Sequence, residues 1–286
     1  VAQWRARKLR HRSKSASQTL PILMKTLSIR EQLNHRNPVL CTRLSYQDPG
    51  LVELVSRLGL DCIWLCTEHV RIDPARLRSL ITAVRCGGAE SLVRVRPSGY
   101  SDLIQILEMG ATGLMIPWIK TAEEVREIVR MCKFYPQGRR GFDGSQIDAD
   151  YGLKPMKDYL RDANDSTFLV IQIETPEAVE NLEEIAAIKG VDVLFLGPND
   201  MSINLGLPGE VTHPKITDIA KKVVKAAENN GKTAGTTCAT ADAFRRWREM
   251  GFRFINYGSD YRMIRRGYEA LIEEARSAGF GKNAEK

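Results

Sequence analysis

Short hydrophobic runs alternate with amphipathic stretches along most of the chain. Eight such runs stand at 38–44, 62–67, 92–96, 113–117, 168–174, 191–197, 233–238 and 252–258. The stretches between them begin at helix-capping residues and several end in glycine, which is typical of α-helices. The runs are mostly continuous Val, Ile and Leu, a pattern that favours parallel strands buried on both faces of a sheet.

Eight strands separated by helices predict an α/β protein, namely a (β/α)8 TIM barrel. The alternative is a doubly wound open sheet, which normally carries a glycine-rich phosphate loop after its first strand, and "LSYQDPG" is not such a loop. We expect the barrel, with an N-terminal helix, to span residues 24–275, between a basic tail at 1–23 and a C-terminal tail at 276–286. The connection at 133–167 is long and irregular, which is typical of functional or interface segments.

Composition and charge change this picture little. The chain has 286 residues, of which 43% are hydrophobic and 27% charged, as in an ordinary globular protein. Its net charge of +7 includes six cations within residues 1–23, where no acid is present. The rest is nearly neutral, which argues against a nucleic-acid partner. No apolar run approaches the roughly 18–20 residues of a membrane span, so we expect no membrane partner.

The cysteines and the basic N-terminal segment indicate the cellular compartment of the protein. The six cysteines are scattered without paired spacing, which favours a reduced, cytoplasmic protein. The Arg- and Ser-rich, acid-free segment at 1–23 also fits an organelle transit peptide. The alternatives that we favour are a solvated tail, or translated sequence upstream of a true start at Met24.

The carboxyl ends of the predicted strands carry the candidate chemistry, because the active sites of barrels form there. Glu174 closes the fifth run and Asp200 follows the sixth. Adjacent strands lie ~4.8 Å apart, so the two carboxylates can share one ion. Oxygen ligands suit Mg²⁺ or Mn²⁺ better than Zn²⁺. The alternative is that both carboxylates simply cap the helices that follow.

Other polar groups also stand at strand ends. Arg96 ends the third run, where a guanidinium needs an anion, either a substrate carboxylate or enolate or a protein acid in a structural ion pair. The amides of "GPND", at 197–200, start a helix and offer a place for a carboxylate. Cys62 and Cys66 stand roughly 13 Å apart along an extended strand, too far for one zinc ion. A Cys66–His69 nucleophile pair lacks any sequence sign of an oxyanion hole.

Several segments of the chain form a recognisable set. They are "CIWLCTEH", "LVRVRP", "EMGATGLMIPWIKTAEEVREIV", "YPQGRRG", "VIQIETPEAVENLEEIAAIKGVDVLFLGPNDMS", "LGLPG" and "YGSDYRMIRRG". Together they resemble the HpcH/HpaI aldolase family of metal-dependent pyruvate aldolases, which is related to the citrate lyase β subunits. The resemblance runs from about residue 24 to near residue 270 and covers most of the chain.

The resemblance implies a fold, an assembly and a reaction. The fold would be a (β/α)8 barrel, and the assembly a homohexamer built as a trimer of swapped dimers. The reaction would be reversible cleavage of 4-hydroxy-2-oxo acids to pyruvate and an aldehyde. Glu174 and Asp200 would hold the divalent ion, with Gln172 beside it.

The resemblance also implies roles for the remaining candidates. His69 would act as the acid/base, oriented by the acid Glu108. Arg96 would stabilise the enolate oxygen and contact the substrate. The substrate carboxylate would be bound by the segment of Gly197, Pro198, Asn199 and Asp200.

Several positions depart from the family pattern. Val70 follows the histidine, where a small residue is usual, the loop after Arg96 is short, and Glu108 is one methylene longer than the usual aspartate. Cys66 stands just before the histidine, where an aspartate is usual. Cys66, Glu68 and Thr237 are therefore candidates for tuning rate or selectivity. Three functions stay open: a class II aldolase, a decarboxylase or other C–C lyase that uses the same enolate, and a catalytically weak barrel kept for binding or assembly.

Overall fold

Parallel strands closed into a barrel form the centre of the molecule. The computed structural model describes residues 27–97 and 99–280. Within these ranges, eight parallel strands pair in sequence order, and the first also pairs with the last. They are β1 (Val39–Leu44), β2 (Cys62–Cys66), β3 (Glu90–Arg94), β4 (Gly113–Ile116), β5 (Phe168–Ile173), β6 (Val193–Leu196), β7 (Thr233–Cys238) and β8 (Phe254–Ser259). The predicted (β/α)8 barrel is confirmed, and the basic tail predicted at 1–23 lies outside the described residues.

Helices precede, connect and follow the strands. They are α1 (Ile29–Asn34), α2 (Pro49–Ser56), α3 (Pro74–Gly87), α4 (Tyr100–Glu108), α5 (Ala122–Cys132), α6 (Met156–Ser166), α7 (Pro176–Glu180), α8 (Leu182–Ala186), α9 (Pro198–Asn204), α10 (Pro214–Asn229), α11 (Ala241–Glu249) and α12 (Asp260–Ser277). The side chains of Asp48, Asp73, Thr121 and Thr240 accept hydrogen bonds from first-turn amides of α2, α3, α5 and α11. These caps satisfy amides that have no partner inside a helix.

The connection at 133–167 is more regular than its sequence predicts. It contains a 3₁₀ helix (Ile147–Gly152) and helix α6, of which only Tyr159 and Asn164 are buried. This polar composition hides the helix in the sequence. The segment is nevertheless fixed, because the buried Lys133 ammonium donates a 2.8 Å hydrogen bond to the Asn164 carbonyl.

Alternate strand residues face opposite sides of the barrel wall and form two apolar cores. The outer core lies between strands and helices. The inner core fills the barrel and includes Cys41, Cys62, Trp64, Leu92, Met115, Phe168, Val170, Val193, Phe195 and Phe254. The N-terminal helix α1, also as predicted, adds Ile29 and Leu33 to this core. The Ile29 amide donates to Glu90, the first residue of β3, so α1 closes the amino end of the barrel.

Gly113 of β4 shows how tightly the inner core is packed. A Cβ at this position would lie 2.2 Å from the Phe168 ring. We expect Gly113→Ala to lower the free energy of unfolding by about 1–3 kcal/mol, because either the ring or the backbone must move. Chemical denaturation measures this loss. Gly267→Ala on α12 is the matched control, since its Cβ would meet no atom within 4 Å, and an equal loss in both variants would contradict the packing argument.

The last helix, α12, presents apolar side chains to solvent. Those exposed on it are Tyr261, Met263, Ile264, Tyr268, Leu271 and Ile272. Among the described residues, no helix combines the length and the apolar character needed to cross a membrane.

Candidate active site

A polar layer lies above the inner core, at the carboxyl ends of the strands. It lines a cavity of 370 Å³. Strand residues facing this cavity include the polar side chains of Arg43 of β1, Arg94 of β3, Gln172 of β5, Thr237 of β7 and Asn256 of β8. Loop and helix residues that line it include His69, Gly197, Pro198, Asn199 and Asp200. The fold thus brings most of the candidates from distant parts of the sequence to one rim.

Glu174 directly follows β5, and its side chain is buried. Its Oε1 accepts a 2.9 Å hydrogen bond from the Trp118 amide, and its Oε2 accepts one of 2.9 Å from Gln172 Nε2. Trp118 has a φ of 56°, in the left-handed region that bulky residues rarely occupy, and in this conformation its amide points at Glu174. Burial raises the pKa of Glu174 to about 7; the Trp118 hydrogen bond opposes this rise and the charge of Asp200 adds to it.

Asp200 lies in the first turn of α9, immediately after β6, the strand that pairs with β5. Gly197 comes between strand and helix and lets the backbone approach the neighbouring carboxylate. A Cβ on Gly197 would lie 2.7 Å from Glu174 Oε2, so any larger residue would displace that oxygen. The two acids singled out in the sequence are therefore neighbours: Asp200 lines the cavity, and the buried Glu174 lies against Gly197.

A divalent ion fits this pair of carboxylates. Neither Glu174 nor Asp200 forms an ion pair with a basic side chain of the described residues, so a bound cation would supply the missing positive charge. Mg²⁺ is typically held by one or two carboxylates together with water and substrate oxygens. Residues 27–97 and 99–280 contain no cluster of three or more His, Cys, Asp and Glu suited to a metal. The carboxylates of Glu174 and Asp200 would therefore be the protein ligands of the ion, and water and substrate oxygens would supply the remaining ligands.

The guanidinium of Arg94, the last residue of β3, is buried at this site. Its Nε lies 3.0 Å from Glu68 Oε2, and its Nη1 donates to Gln172 Oε1 at 3.3 Å. Nε and Nη2 also donate to Cys66 Sγ at 3.3 and 3.1 Å. An acid, an amide and a thiol therefore hold this cation in one orientation, and Gln172 connects it to Glu174.

Arg96 does not occupy the position that the sequence predicted. Pairing between β2 and β3 ends at Cys66 and Arg94, so the strand stops two residues before Arg96. The Arg96 guanidinium lies 5.9 Å from the centre of the Trp118 ring and lines, with His69, an open depression beside the main cavity. The expectation that Arg96 closes the strand is wrong, because Arg94 closes it.

His69 follows β2 and reaches the cavity rim. Its side chain is 55% exposed, and its Nε2 lies 3.8 Å from Glu68 Oε2. Its backbone amide donates to Cys66 Sγ at 3.5 Å. The Glu68 carboxylate thus lies between the Arg94 guanidinium and the His69 imidazole, and the thiol of Cys66 contacts both residues.

Glu108 is not brought to His69 within this chain. It is the last residue of α4, a helix that returns from the carboxyl end of β3 to the amino end of β4. It therefore lies towards the opposite end of the barrel. Its charged neighbours there are Arg140, Asp148 and Asp143, and burial raises its pKa. The expectation that Glu108 orients His69 inside one chain is not met, because the two residues stand at opposite barrel ends.

The remaining strand-end residues form the other side of the cavity. Asn256 of β8 donates a 2.9 Å hydrogen bond to the Thr237 hydroxyl of β7. Sequence reasoning missed Asn256, and it also missed Arg43 and Arg94. Strand alternation could have found them, because each stands two residues after a member of the inner core.

The chain is similar to several known proteins. The model of the HpcH/HpaI aldolase/citrate lyase family matches residues 44–266. A 2-dehydro-3,6-dideoxy-6-sulfogluconate aldolase of Pseudomonas putida is 34% identical over 232 residues, which cover 81% of this chain and 90% of that protein. A 4-hydroxy-2-oxo-heptane-1,7-dioate aldolase of Escherichia coli is 31% identical over 232 residues, covering 81% and 86%. The crystal structure of an HpcH/HpaI aldolase from Desulfitobacterium hafniense is similar, with a TM-score of 0.81 at 29% identity and coverage of 87% and 96%.

Proposed function

This chain belongs to the HpcH/HpaI aldolase/citrate lyase family, and we propose that its cavity catalyses reversible cleavage of 4-hydroxy-2-oxo acids to pyruvate and an aldehyde. It is a lyase of the class II aldolase type. One observation supports this assignment of the site: the buried carboxylate of Glu174 has Asp200 and the buried guanidinium of Arg94 as charged neighbours, and Arg94 and Asp200 line one cavity. This combination of groups suits a reaction that generates an enolate.

Members of the family are metal-dependent, and Glu174 and Asp200 are the residues that would hold the ion here. We propose Mg²⁺ or Mn²⁺, because both prefer oxygen ligands. When bound, the ion supplies Lewis acidity towards the ketone oxygen of the substrate. Gln172 orients Glu174 through their 2.9 Å hydrogen bond, and the Trp118 amide fixes the other carboxylate oxygen.

The first turn of α9 binds the substrate carboxylate in this proposal. Gly197, Pro198, Asn199 and Asp200 line the cavity beside the carboxylate pair. The backbone amides at a helix start lack helical partners and point towards an anion. A carboxylate placed there leaves the ketone and the C3–C4 bond of the substrate extending into the cavity.

Arg94 and His69 perform complementary tasks in the cleavage. His69 removes the proton of the C4 hydroxyl, the C3–C4 bond breaks, and C4 leaves as the aldehyde carbonyl. The electron pair of that bond becomes the enolate, whose oxygen is stabilised by the preorganised Arg94 guanidinium. Protonation at C3 then completes pyruvate. Glu68, 3.8 Å from His69 Nε2, is the acid positioned to orient the imidazole, a role that the sequence assigned to Glu108.

Product analysis with and without metal tests this proposal. Pyruvate, an aldehyde and Mg²⁺ or Mn²⁺ should yield a 4-hydroxy-2-oxo acid, EDTA should stop its formation, and added metal should restore it. Activity that survives exhaustive chelation would contradict the metal assignment. Release of CO₂ from oxaloacetate without any aldehyde-dependent product would identify the protein as a decarboxylase. Complete absence of turnover with every combination would leave a binding or assembly role.

Cys66 is expected to set the position of the Arg94 guanidinium. We expect Cys66→Asp to change kcat/KM by about tenfold or more, because a carboxylate at this place competes with Glu68 for the same cation. Cys66→Ser keeps a neutral acceptor and should change kcat/KM less. Steady-state kinetics with two aldehydes measures both rate and preference. Identical kinetics in the wild type and Cys66→Asp would mean that the residue only fills space.

We also propose that the chain forms a homo-oligomer, a hexamer arranged as a trimer of dimers, through α12. The exposed apolar residues of α12 support this, since a helix of this kind is normally covered. Light scattering after size-exclusion chromatography measures the mass, and a monomer at micromolar concentration would contradict the assembly.

We also propose the domain boundaries and the cellular location that the sequence predicts. The barrel is proposed for 24–275, although α12 continues to Ser277, with tails at 1–23 and 276–286. A cytoplasmic location is supported by the six cysteines, all of which are free thiols.

A further inference from the structure

The part of the cavity wall that β1, α11 and α12 contribute is basic. Arg43 of β1, Arg246 of α11 and Arg262 of α12 all line it. Within the described residues, none of the three forms an ion pair with an acid. The nearby carboxylate of Asp260 is already used, since it accepts hydrogen bonds from the Ser45 and Tyr46 amides. This part of the wall therefore presents positive charge that the protein itself does not neutralise.

Unpartnered polar atoms concentrate in the same place. Among the described residues, nine buried side-chain nitrogen or oxygen atoms have no hydrogen-bond partner, and five of them belong to residues lining this cavity. The five are Arg43 Nε, Arg246 Nε, Trp64 Nε1, Asn256 Oδ1 and Ser259 Oγ. Buried polar groups are almost always satisfied in native proteins. Three N–H donors without partners on one wall indicate an acceptor that is supplied from outside the chain.

Aromatic rings hold the two most enclosed guanidinium groups in place. Arg43 lies 5.7 Å from the centre of the Trp64 ring, and Arg246 lies 4.6 Å from that of Trp247. A guanidinium over a ring face is attracted to it, and this contact leaves its N–H groups free for an oxyanion. These arginines are therefore oriented without being neutralised, unlike Arg94, which is paired with Glu68.

The geometry points to an anion subsite for the second half of the substrate. In the closed barrel, β1 is four strands from β5 in either direction, so Arg43 faces the wall that carries Glu174 from across the cavity. We propose that Arg43 and Arg246, with Arg262 at the rim, bind a terminal anionic group, carboxylate or sulfonate, on the aldehyde portion of the substrate. This inference rests on the proposed function, because it assumes that the pyruvate portion occupies the Glu174 and Asp200 side.

Paired aldehydes of equal length test the subsite. Succinic semialdehyde and 3-oxopropanesulfonate carry the anion in two forms, and butanal replaces the carboxylate of the first by a methyl group. We expect wild-type kcat/KM for at least one anionic aldehyde to exceed that for butanal by about tenfold or more. The larger of the two anionic values identifies the favoured group. Equal use of butanal and both anionic aldehydes overturns the inference without any variant.

Two arginine variants locate the effect, and a third serves as a matched control. Arg43→Gln and Arg246→Gln should each reduce the anionic-to-neutral ratio of kcat/KM by about tenfold. Arg245→Gln removes the same charge from the exposed face of α11, where Arg245 pairs with Asp242, and should keep the wild-type ratio. Equal ratios in Arg43→Gln and Arg245→Gln overturn the inference.

Exchange of the pyruvate methyl protons, which needs no aldehyde, separates this inference from the proposed function. Metal-dependent exchange together with equal use of all aldehydes overturns the subsite alone. Absence of exchange in the metal-loaded wild type overturns the proposed function, and the subsite with it.

Discussion

Arg94→Ala is expected to reduce kcat of aldol cleavage by about 10²–10³-fold. The reason is that a preorganised donor aimed at developing negative charge contributes this much to related enolate and oxyanion reactions. The buried guanidinium also has no water to replace it, since it is enclosed by Glu68, Cys66 and Gln172. Steady-state kinetics gives the effect, and circular dichroism verifies that the variant is folded.

Arg96→Ala is the matched comparison for this prediction. It removes the same side chain two residues later, where Arg96 stacks on Trp118 outside the buried cluster. We expect kcat to change by no more than about threefold, as for a partly exposed charge. A larger loss in Arg96→Ala than in Arg94→Ala would restore the expectation drawn from the sequence and refute the role given to Arg94.

Glu174→Gln is expected to reduce both metal affinity and activity, the latter by about 10³-fold or more. Removal of one of two carboxylates halves the negative charge that holds the ion, and the ion contributes several kcal/mol to charge stabilisation. Electron paramagnetic resonance of Mn²⁺ titrations measures binding, and product formation measures activity.

Glu177→Gln controls for the Glu174 variant. Glu177 lies three residues away on α7, exposed and paired with Lys120 at 2.9 Å, so its replacement should leave Mn²⁺ binding unchanged. Full activity and Mn²⁺ affinity in Glu174→Gln would exclude Glu174 as a ligand. Equal weakening of Mn²⁺ binding in both variants would show that general charge, rather than coordination, governs the effect.

Much of the fold could be read from local patterns. Strand runs of Val, Ile and Leu and the caps at Asp48, Thr121 and Thr240 each act within a few residues, so the sequence alone displays them. Helix α6 was missed because its packing rests on distant partners, such as the Lys133 ammonium that binds the Asn164 carbonyl. Helix α6 is amphipathic but mostly polar, so its few apolar positions do not stand out in the sequence.

The candidate site was only partly readable, for geometric reasons. Glu174 and Asp200 follow long apolar strands that pair side by side, so their meeting could be anticipated. Arg94 and Arg96 share one face of an extended chain, and only the pairing of β3 with β2 decides which of them ends the strand. The basic wall of Arg43 and Arg246 joins β1 to α11, and no sequence spacing connects residues so far apart.

The measurement closest to the central claim follows the methyl protons of pyruvate in D₂O by NMR, with no aldehyde present. Exchange requires the enolate, the intermediate that the carboxylate pair, its divalent ion and Arg94 are proposed to stabilise. We expect the wild-type protein with Mg²⁺ or Mn²⁺ to exchange these protons, EDTA to stop the exchange, and Glu174→Gln to be inactive. Exchange that persists after exhaustive chelation, or no exchange in the metal-loaded protein, would contradict the account.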